Sequence, residues 1–207
     1  MFQCFHLKDF PNIHSKCIYK MLLPFCQPHV ETMYQTYDWK AIWNNICFKC
    51  INMHNRSIVY KFLHEILPNK KKLAQFYNSN PNCVTCNLEE SNIHMFLYCA
   101  NVQVCKNLLI KIIFYFCNMN VENYLLKCLF FDFPKVNKQI KNTLIIIVSS
   151  YIANIWFNRN SLENLDYKLK AKIKMCQKLH MDILQDKGEN VFTGNYCKMD
   201  ADIIDRL

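Results

Sequence analysis

Residues 83–99 read Cys83-Val-Thr-Cys86-Asn-Leu-Glu-Glu-Ser-Asn-Ile-His94-Met-Phe-Leu-Tyr-Cys99, a C-x2-C-x7-H-x4-C pattern complete within 17 residues. Two thiolates two residues apart in a tight turn can both reach an ion about 2.3 Å from each sulfur. Ser91 is placed to cap a short helix carrying His94, with Cys99 at its loosened C-terminal end. The gap between His94 and Cys99 lies within the three-to-five-residue spacing that zinc modules use for their last two ligands. Three soft thiolates and one imidazole select Zn²⁺ by ligand type and tetrahedral count. With all four positions filled by protein groups, the expected site holds one structural zinc and leaves no open position for a catalytic water. Cys83, Cys86, His94 and Cys99 are the expected ligands, with Cys105 as the spare thiolate. The polar loop Asn78-Ser-Asn-Pro-Asn82 in front suits a small module whose folding is coupled to its metal.

Outward from this segment the pattern is helical. Asp38 reads as the N-cap of a helix through Trp39, Ile42, Trp43, Ile46, Cys47 and Cys50. Asn55 or Ser57 opens a second, with Ile58, Val59, Phe62, Leu63 and Ile66 on one face and a stop at Pro68. Lys70 to Tyr77 is a short segment leading into the polar loop. Further helices are expected over 104–117, 121–131 and 138–158. A long amphipathic helix then carries Leu162, Leu165, Leu169, Ile173, Cys176, Leu179 and Ile183 at spacings of three or four. The second C-x2-C pair, Cys47 and Cys50, falls on an apolar stripe and reads as packing, even with His54 at helical reach. Residues 1–37, interrupted by Pro11, Pro24 and Pro28, read as irregular. The expected fold is mainly α: an irregular helical domain with a small zinc-stabilised CCHC loop-helix module.

Composition narrows the function classes. The chain has 207 residues, 52% hydrophobic and 14% aromatic, enough for a packed core. It has only 2 glycines and 6 prolines, which argues against a many-turned β-sandwich or barrel. The glycines, Gly188 and Gly194, also lack the spacing and following lysine of a phosphate loop. An odd count of 13 cysteines and no secretory signal at Met1–Phe10 point to an intracellular chain, nuclear or cytoplasmic, with reduced thiols. Leu144 to Phe157 is uncharged but shorter than the roughly 20 residues of a membrane span, and reads as a buried core helix. No membrane partner is expected. The net charge of +9 rests on 22 lysines and only 3 arginines, alongside 24 asparagines. Such a vocabulary follows AT-rich codons, so the charge is a weak sign of a polyanionic partner. Lys168, Lys170, Lys172, Lys174 and Lys178 face largely away from the apolar stripe, as a solvated helix face does, and the tail beyond is acidic.

The CCHC set, with Glu89-Glu90 before the histidine and His94-Met-Phe-Leu-Tyr-Cys99 after it, resembles the zinc-binding region downstream of the reverse transcriptase in non-LTR (LINE-type) retrotransposon polyproteins. The flanks resemble it in the same order. Asn12-Ile-His-Ser-Lys-Cys-Ile-Tyr-Lys-Met-Leu22 is similar to the family's "Ser-Lys…Tyr…Leu" entry, and Asp38-Trp-Lys-Ala-Ile-Trp43 to its "Trp…Ile-Trp" helix. Arg56 to Pro68 followed by Leu73 is similar to the segment before the first cysteine pair. Ile155-Trp-Phe-Asn-Arg-Asn160 is similar to the "Ile-Trp…Arg-Asn" closing the helical region. The likeness spans about residues 12–160. It departs at Asn69, where the family often has Thr, and lacks a Trp that many members carry after the last ligand.

The resemblance, taken with the prolines before it and the stripe and charge after it, divides the chain into an irregular N-terminal segment 1–37, a reverse-transcriptase-type zinc-binding region 38–104, a helical region 105–160, and an amphipathic helix with acidic tail 161–207. It implies a C-terminal piece or remnant of such a polyprotein, a non-catalytic module that holds single-stranded RNA or DNA beside the polymerase. Other regions of the parent polyprotein are further expected partners. No polymerase or nuclease motif is present; Met199-Asp-Ala-Asp202 is an acidic pair in the tail, and a Cys99–His94 nucleophilic pair conflicts with metal ligation. Lys70, Lys71 and Lys72 are candidate phosphate contacts. Phe76, Tyr77 and Tyr98 are candidate stacking surfaces, whereas Phe96 fits the core better. The competing reading is a zinc-stabilised helical scaffold for protein interaction without nucleic-acid binding, using the Leu162–Ile183 stripe as a helix–helix seam.

Overall fold

The structure, a computed structural model, describes residues 31, 34–48, 51–118, 124–159 and 165–186, with side chains of the last helix described as far as Met175. The chain divides into two compact units, Met1–Tyr37 and Asp38–Leu207. Within the first, the Tyr37 amide donates to the Tyr34 carbonyl in a turn. The rest of the expected irregular segment lies outside the described residues.

The second unit is helical, with no strand among the described residues. Its elements are α1 (Trp39–Ile46), α2 (Met53–Leu63), α3 (Lys70–Tyr77), a π turn (His94–Tyr98), a 3₁₀ turn (Ala100–Val102), α4 (Gln103–Cys117), α5 (Leu125–Leu129), α6 (Lys138–Asn158) and α7 (Leu165–Asp186). Side chains set the boundaries. Asp38 Oδ1 accepts from the Ala41 amide, as expected, and starts α1. Asparagines do the same elsewhere: Asn52 opens α2, Asn69 opens α3 and Asn137 opens α6. Asn78 and Asn118 close α3 and α4 in the left-handed conformation. Only Gly visits that region as readily, and asparagine is the next best substitute. Of the five left-handed positions among the described residues, three are asparagine: Asn78, Asn87 and Asn118.

The core is built around α6, which packs on α1, α2, α4, α5, α7 and the π turn. Every residue from Thr143 to Ile155 is buried. Each large aliphatic side chain there contributes roughly 1.5–3 kcal/mol on burial. This covering answers the span-like character of α6, which by length and composition could cross a membrane. Residues 100–117 share that character, but Cys105, Leu108, Leu109, Ile112 and Ile113 are buried while Asn107 and Lys111 are exposed on the other side. An aromatic cluster joins the layers, with Phe62 edge-on to Phe96 at 5.0 Å and tilted against Phe130 at 5.7 Å. Asn45 Nδ2 donates to the carbonyl of buried Phe131, whose φ of 62° turns the chain toward α6.

Several expectations are corrected. The first helix stops at Ile46, so Cys47 is exposed instead of packed; Cys50 lies outside the described residues, and His54 is exposed. The second helix stops at Leu63, and Glu65 at φ 53° slips the phase. Leu67 therefore turns into the core and Ile66 is exposed. The 121–131 helix shrinks to Leu125–Leu129, with 119–123 outside the described residues. On α7, Leu165, Leu169 and Ile173 are buried within this chain, on the helix that packs against α4 and α6. That half of the stripe is consumed internally and is not a free seam; the side chains beyond it lie outside the described residues, as does Leu162.

Candidate metal centre

The knuckle is a small hairpin. Asn82 and Glu89 form an isolated antiparallel bridge, and the Cys83 amide donates to the Leu88 carbonyl at 2.8 Å. The Asn87 amide returns to the Cys83 carbonyl at 3.0 Å, and Asn87 takes φ 55° to close the turn. Cys83 and Cys86 thereby face the same side as the following helix. That helix begins as expected: Ser91 Oγ accepts from the His94 amide at 3.1 Å. It then widens into the π turn, closed by the Cys99 amide donating to the His94 carbonyl at 2.8 Å.

The widening makes the His94–Cys99 spacing usable. In a regular α-helix, residues five apart point about 140° away from each other. The five-residue turn brings the two ends of HMFLYC back together. Cys99 leaves it in extended conformation, φ −64° and ψ 134°.

The four ligand atoms, three Sγ and one imidazole nitrogen, lie within 4.8 Å of one another. Cys83 Sγ and Cys99 Sγ are 3.7 Å apart, and Cys86 Sγ is 3.2 Å from His94 Nε2. Sulfurs about 2.3 Å from a tetrahedral metal are about 3.8 Å apart, so the first distance fits an edge of that polyhedron. It is far too long for a disulfide, near 2.05 Å. Cys83, His94 and Cys99 are buried and Cys86 half-buried. At Cys83 burial opposes ionisation. Hydrogen bonds from the Thr85 and Cys86 backbone and from the His94 and Cys86 side chains outweigh it and bring the thiol down to about 6. Burial pushes Cys99 up to about 12, and the neighbouring Cys83 and Cys86 sulfurs add to the rise against a hydrogen bond from the Asn101 backbone. Ionising all three sulfurs at this distance is unfavourable unless a cation shares their charge, and the donor set suits a metal ion.

The surroundings tie the knuckle to α3. Asn69 Nδ2 donates to Asn92 Oδ1 at 2.7 Å, both residues buried. The Lys70 amide donates to Glu90 Oε1 at 3.1 Å, and its ammonium Nζ donates to the Asn82 carbonyl at 3.2 Å. Lys71 pairs with Glu89 at 2.6 Å. The Asn101 and Thr85 side chains hydrogen-bond beside the Cys/His cluster. Two of the three lysines singled out from the sequence are therefore struts of the knuckle. The sequence reading missed this role and Asn69–Asn92 as well; the signal was the run of amides flanking both ends of the module. Phe76 and Tyr77 stand exposed at the end of α3, 77% and 74%, and Tyr98 is 64% exposed on the π turn. Phe96 is wholly buried, as expected. Cys105 is buried on α4 and is no part of the cluster.

No family model, no curated protein and no solved structure matches this chain.

Proposed function

We propose that this chain is a zinc-stabilised helical module that binds single-stranded RNA or DNA, and that it is a C-terminal part or remnant of a retrotransposon reverse transcriptase polyprotein. The observation that carries the reading is the convergence of Cys83, Cys86, His94 and Cys99. Those residues would hold one zinc ion, which supplies a cross-link between knuckle and π turn and no reaction chemistry.

The nucleic-acid side of the proposal draws on the flanks. Phe76, Tyr77 and Tyr98 offer exposed rings, and stacking is tolerant of base identity. Lys72, beside the two strut lysines, and the overall +9 favour a phosphate backbone. With 3 arginines in the chain, bidentate base reading is scarce, so binding tracks the backbone with weak sequence preference.

Metal content of the purified chain, measured beside filter binding to single-stranded RNA and DNA at two salt concentrations, tests both halves. One zinc per chain is expected, with a log–log salt slope of about −0.7 per phosphate contacted. Replacing Phe76 and Tyr77 by Ala is expected to cost about 1–3 kcal/mol per stacked base. A metal-free folded chain overturns the first half; salt-insensitive binding, or none, overturns the second.

A further inference from the structure

Within the four-residue cluster, Cys83 and Cys99 meet as a pair. Their sulfurs are 3.7 Å apart, the one sulfur–sulfur contact within hydrogen-bonding reach among the described residues. Cys86 turns instead to His94 Nε2, at 3.2 Å. Cys83 comes from the hairpin closed by the Asn82–Glu89 bridge, and Cys99 from the end of the π turn. A disulfide holds its sulfurs at about 2.05 Å, so an approach of roughly 1.7 Å bonds this pair. A cavity of about 250 Å³ lies against both residues. Cys83 and Cys99 line it and Cys86 does not; Leu73, Met95, Val102 and Ile155 make much of the remaining wall. Hydrogen peroxide is little larger than water, whose share of liquid volume is about 30 Å³, so the cavity has room for it. Peroxide is also neutral, and a mostly apolar wall admits it more readily than a charged oxidant. Cys83 and Cys99 keep 6% and 7% of their surface accessible, whereas Cys105 and Cys128 keep 0% and 1%.

We propose that Cys83 and Cys99 form a peroxide-reactive pair, which hydrogen peroxide converts into a disulfide that takes the place of a shared metal ion as the tie between hairpin and π turn. One sulfur, as the thiolate, attacks a peroxide oxygen; the O–O bond breaks, giving a sulfenic acid and hydroxide. The second thiol gives its proton to that hydroxide, forming water, and its thiolate attacks the sulfenic sulfur. The S–O bond breaks as the S–S bond forms, and the departing hydroxide takes up the proton shed when the first thiol ionised. Two thiols thus lose two electrons and two protons, and one peroxide becomes two waters. Cys86 and His94 are left as half of a tetrahedral set, too few to retain a structural ion. The pairing falls within the proposed zinc site but depends only on the two sulfurs.

The test uses the full wild-type chain as purified, with its zinc content measured first. It is exposed to hydrogen peroxide, quenched with N-ethylmaleimide in denaturant, and mapped without reduction. Trypsin with a glutamyl endopeptidase separates the partners, because Glu89 and Glu90 lie between Cys86 and Cys99. A cross-link between Cys83 and Cys99 is expected, with label lost from both together, kept on Cys86, Cys105 and Cys128, and restored by dithiothreitol. Any zinc carried by the chain is expected to leave in step with the cross-link, read with a chromogenic chelator. Oxidised glutathione, charged and far larger than the cavity, is expected to leave the pair reduced over the same time. A cross-link through Cys86 overturns the assignment, as does glutathione bound at Cys83 or Cys99. So does Met95 sulfoxide with both thiols still labelled, which brings peroxide into the cavity without reaction of the pair. A zinc-bearing chain that forms no cross-link overturns the pairing and leaves the zinc reading standing. A zinc-free chain that forms it does the reverse.

Discussion

The hydroxyl of Tyr151, at the centre of α6, donates to the main-chain carbonyl of Phe96 across 2.6 Å. Phe96 sits between the cluster residues His94 and Cys99, so this bond pins the backbone of the π turn to the core. The carbonyl needs the partner because the turn ends before a backbone amide can reach it. Tyr151 is fully buried, and burial pushes its phenol above the ordinary range, keeping it a donor. Tyr151→Phe removes the donor and leaves the Phe96 carbonyl buried and unsatisfied. The expected loss is about 1–3 kcal/mol. For a chain this size that lowers the melting temperature by about 2–4 °C per kcal/mol. Zinc is also expected to exchange faster to a chelator. Unchanged melting and exchange would dissociate α6 from the metal loop.

Cys86→Ser is expected to reduce zinc from one per chain to none and to open the knuckle, since metal binding and local folding are one event. Hydrogen exchange over residues 81–102 should accelerate while α6 stays protected, because the core of α6 is buried independently of the ligands. Retention of zinc and of amide protection would show that Cys86 is not a ligand.

Alkylation should sort the described thiols by exposure. Cys47 is exposed and reacts in the native chain. Burial pushes Cys105 and Cys128 each to about 12, leaving inaccessible neutral thiols that do not react. Cys83, Cys86 and Cys99 are spared with zinc bound and labelled once a chelator is added. Peptide mapping reads all six positions, and equal labelling of Cys47 and Cys128 would contradict the packing.

The same raised groups give an alkaline limit. Cys105 and Cys128 bind their protons more tightly folded than unfolded, where the thiol sits near 9.0. Their contribution is complete below about pH 9 and is lost as pH climbs through about 12. Denaturant midpoints are expected to be flat from pH 7 to 8.5 and to fall above 9. The fall should be shallower in Cys128→Ala, and an identical profile in that variant would remove Cys128 from the account.

Much of the architecture is legible locally. The Asp38 cap, the Ser91 cap, the 138–158 core helix and the gathering of Cys83, Cys86, His94 and Cys99 all follow from residues close to one another in the chain. The errors arise where distant packing decides. Nothing near Glu65 announces that the chain takes a left-handed step there, which moves burial from Ile66 to Leu67. Cys47, four residues after Trp43, looks packed until the helix ends one residue before it. Lys70 and Lys71 look like a free basic run until the knuckle hairpin folds back and presents the Asn82 carbonyl and Glu89. The asparagine surplus, readable as codon bias, is put to work at helix ends and in the knuckle.

Those asparagine caps have a consequence for acid. An amide cap does not titrate, so the side-chain caps Asn52, Asn69 and Asn137 keep their hydrogen bonds as pH falls. Metal ligation requires deprotonated thiols and a neutral imidazole, and weakens as protons compete. Acidification would therefore strike the second unit unequally: an ion held by the knuckle would be released while the amide caps of α2, α3 and α6 stay in place.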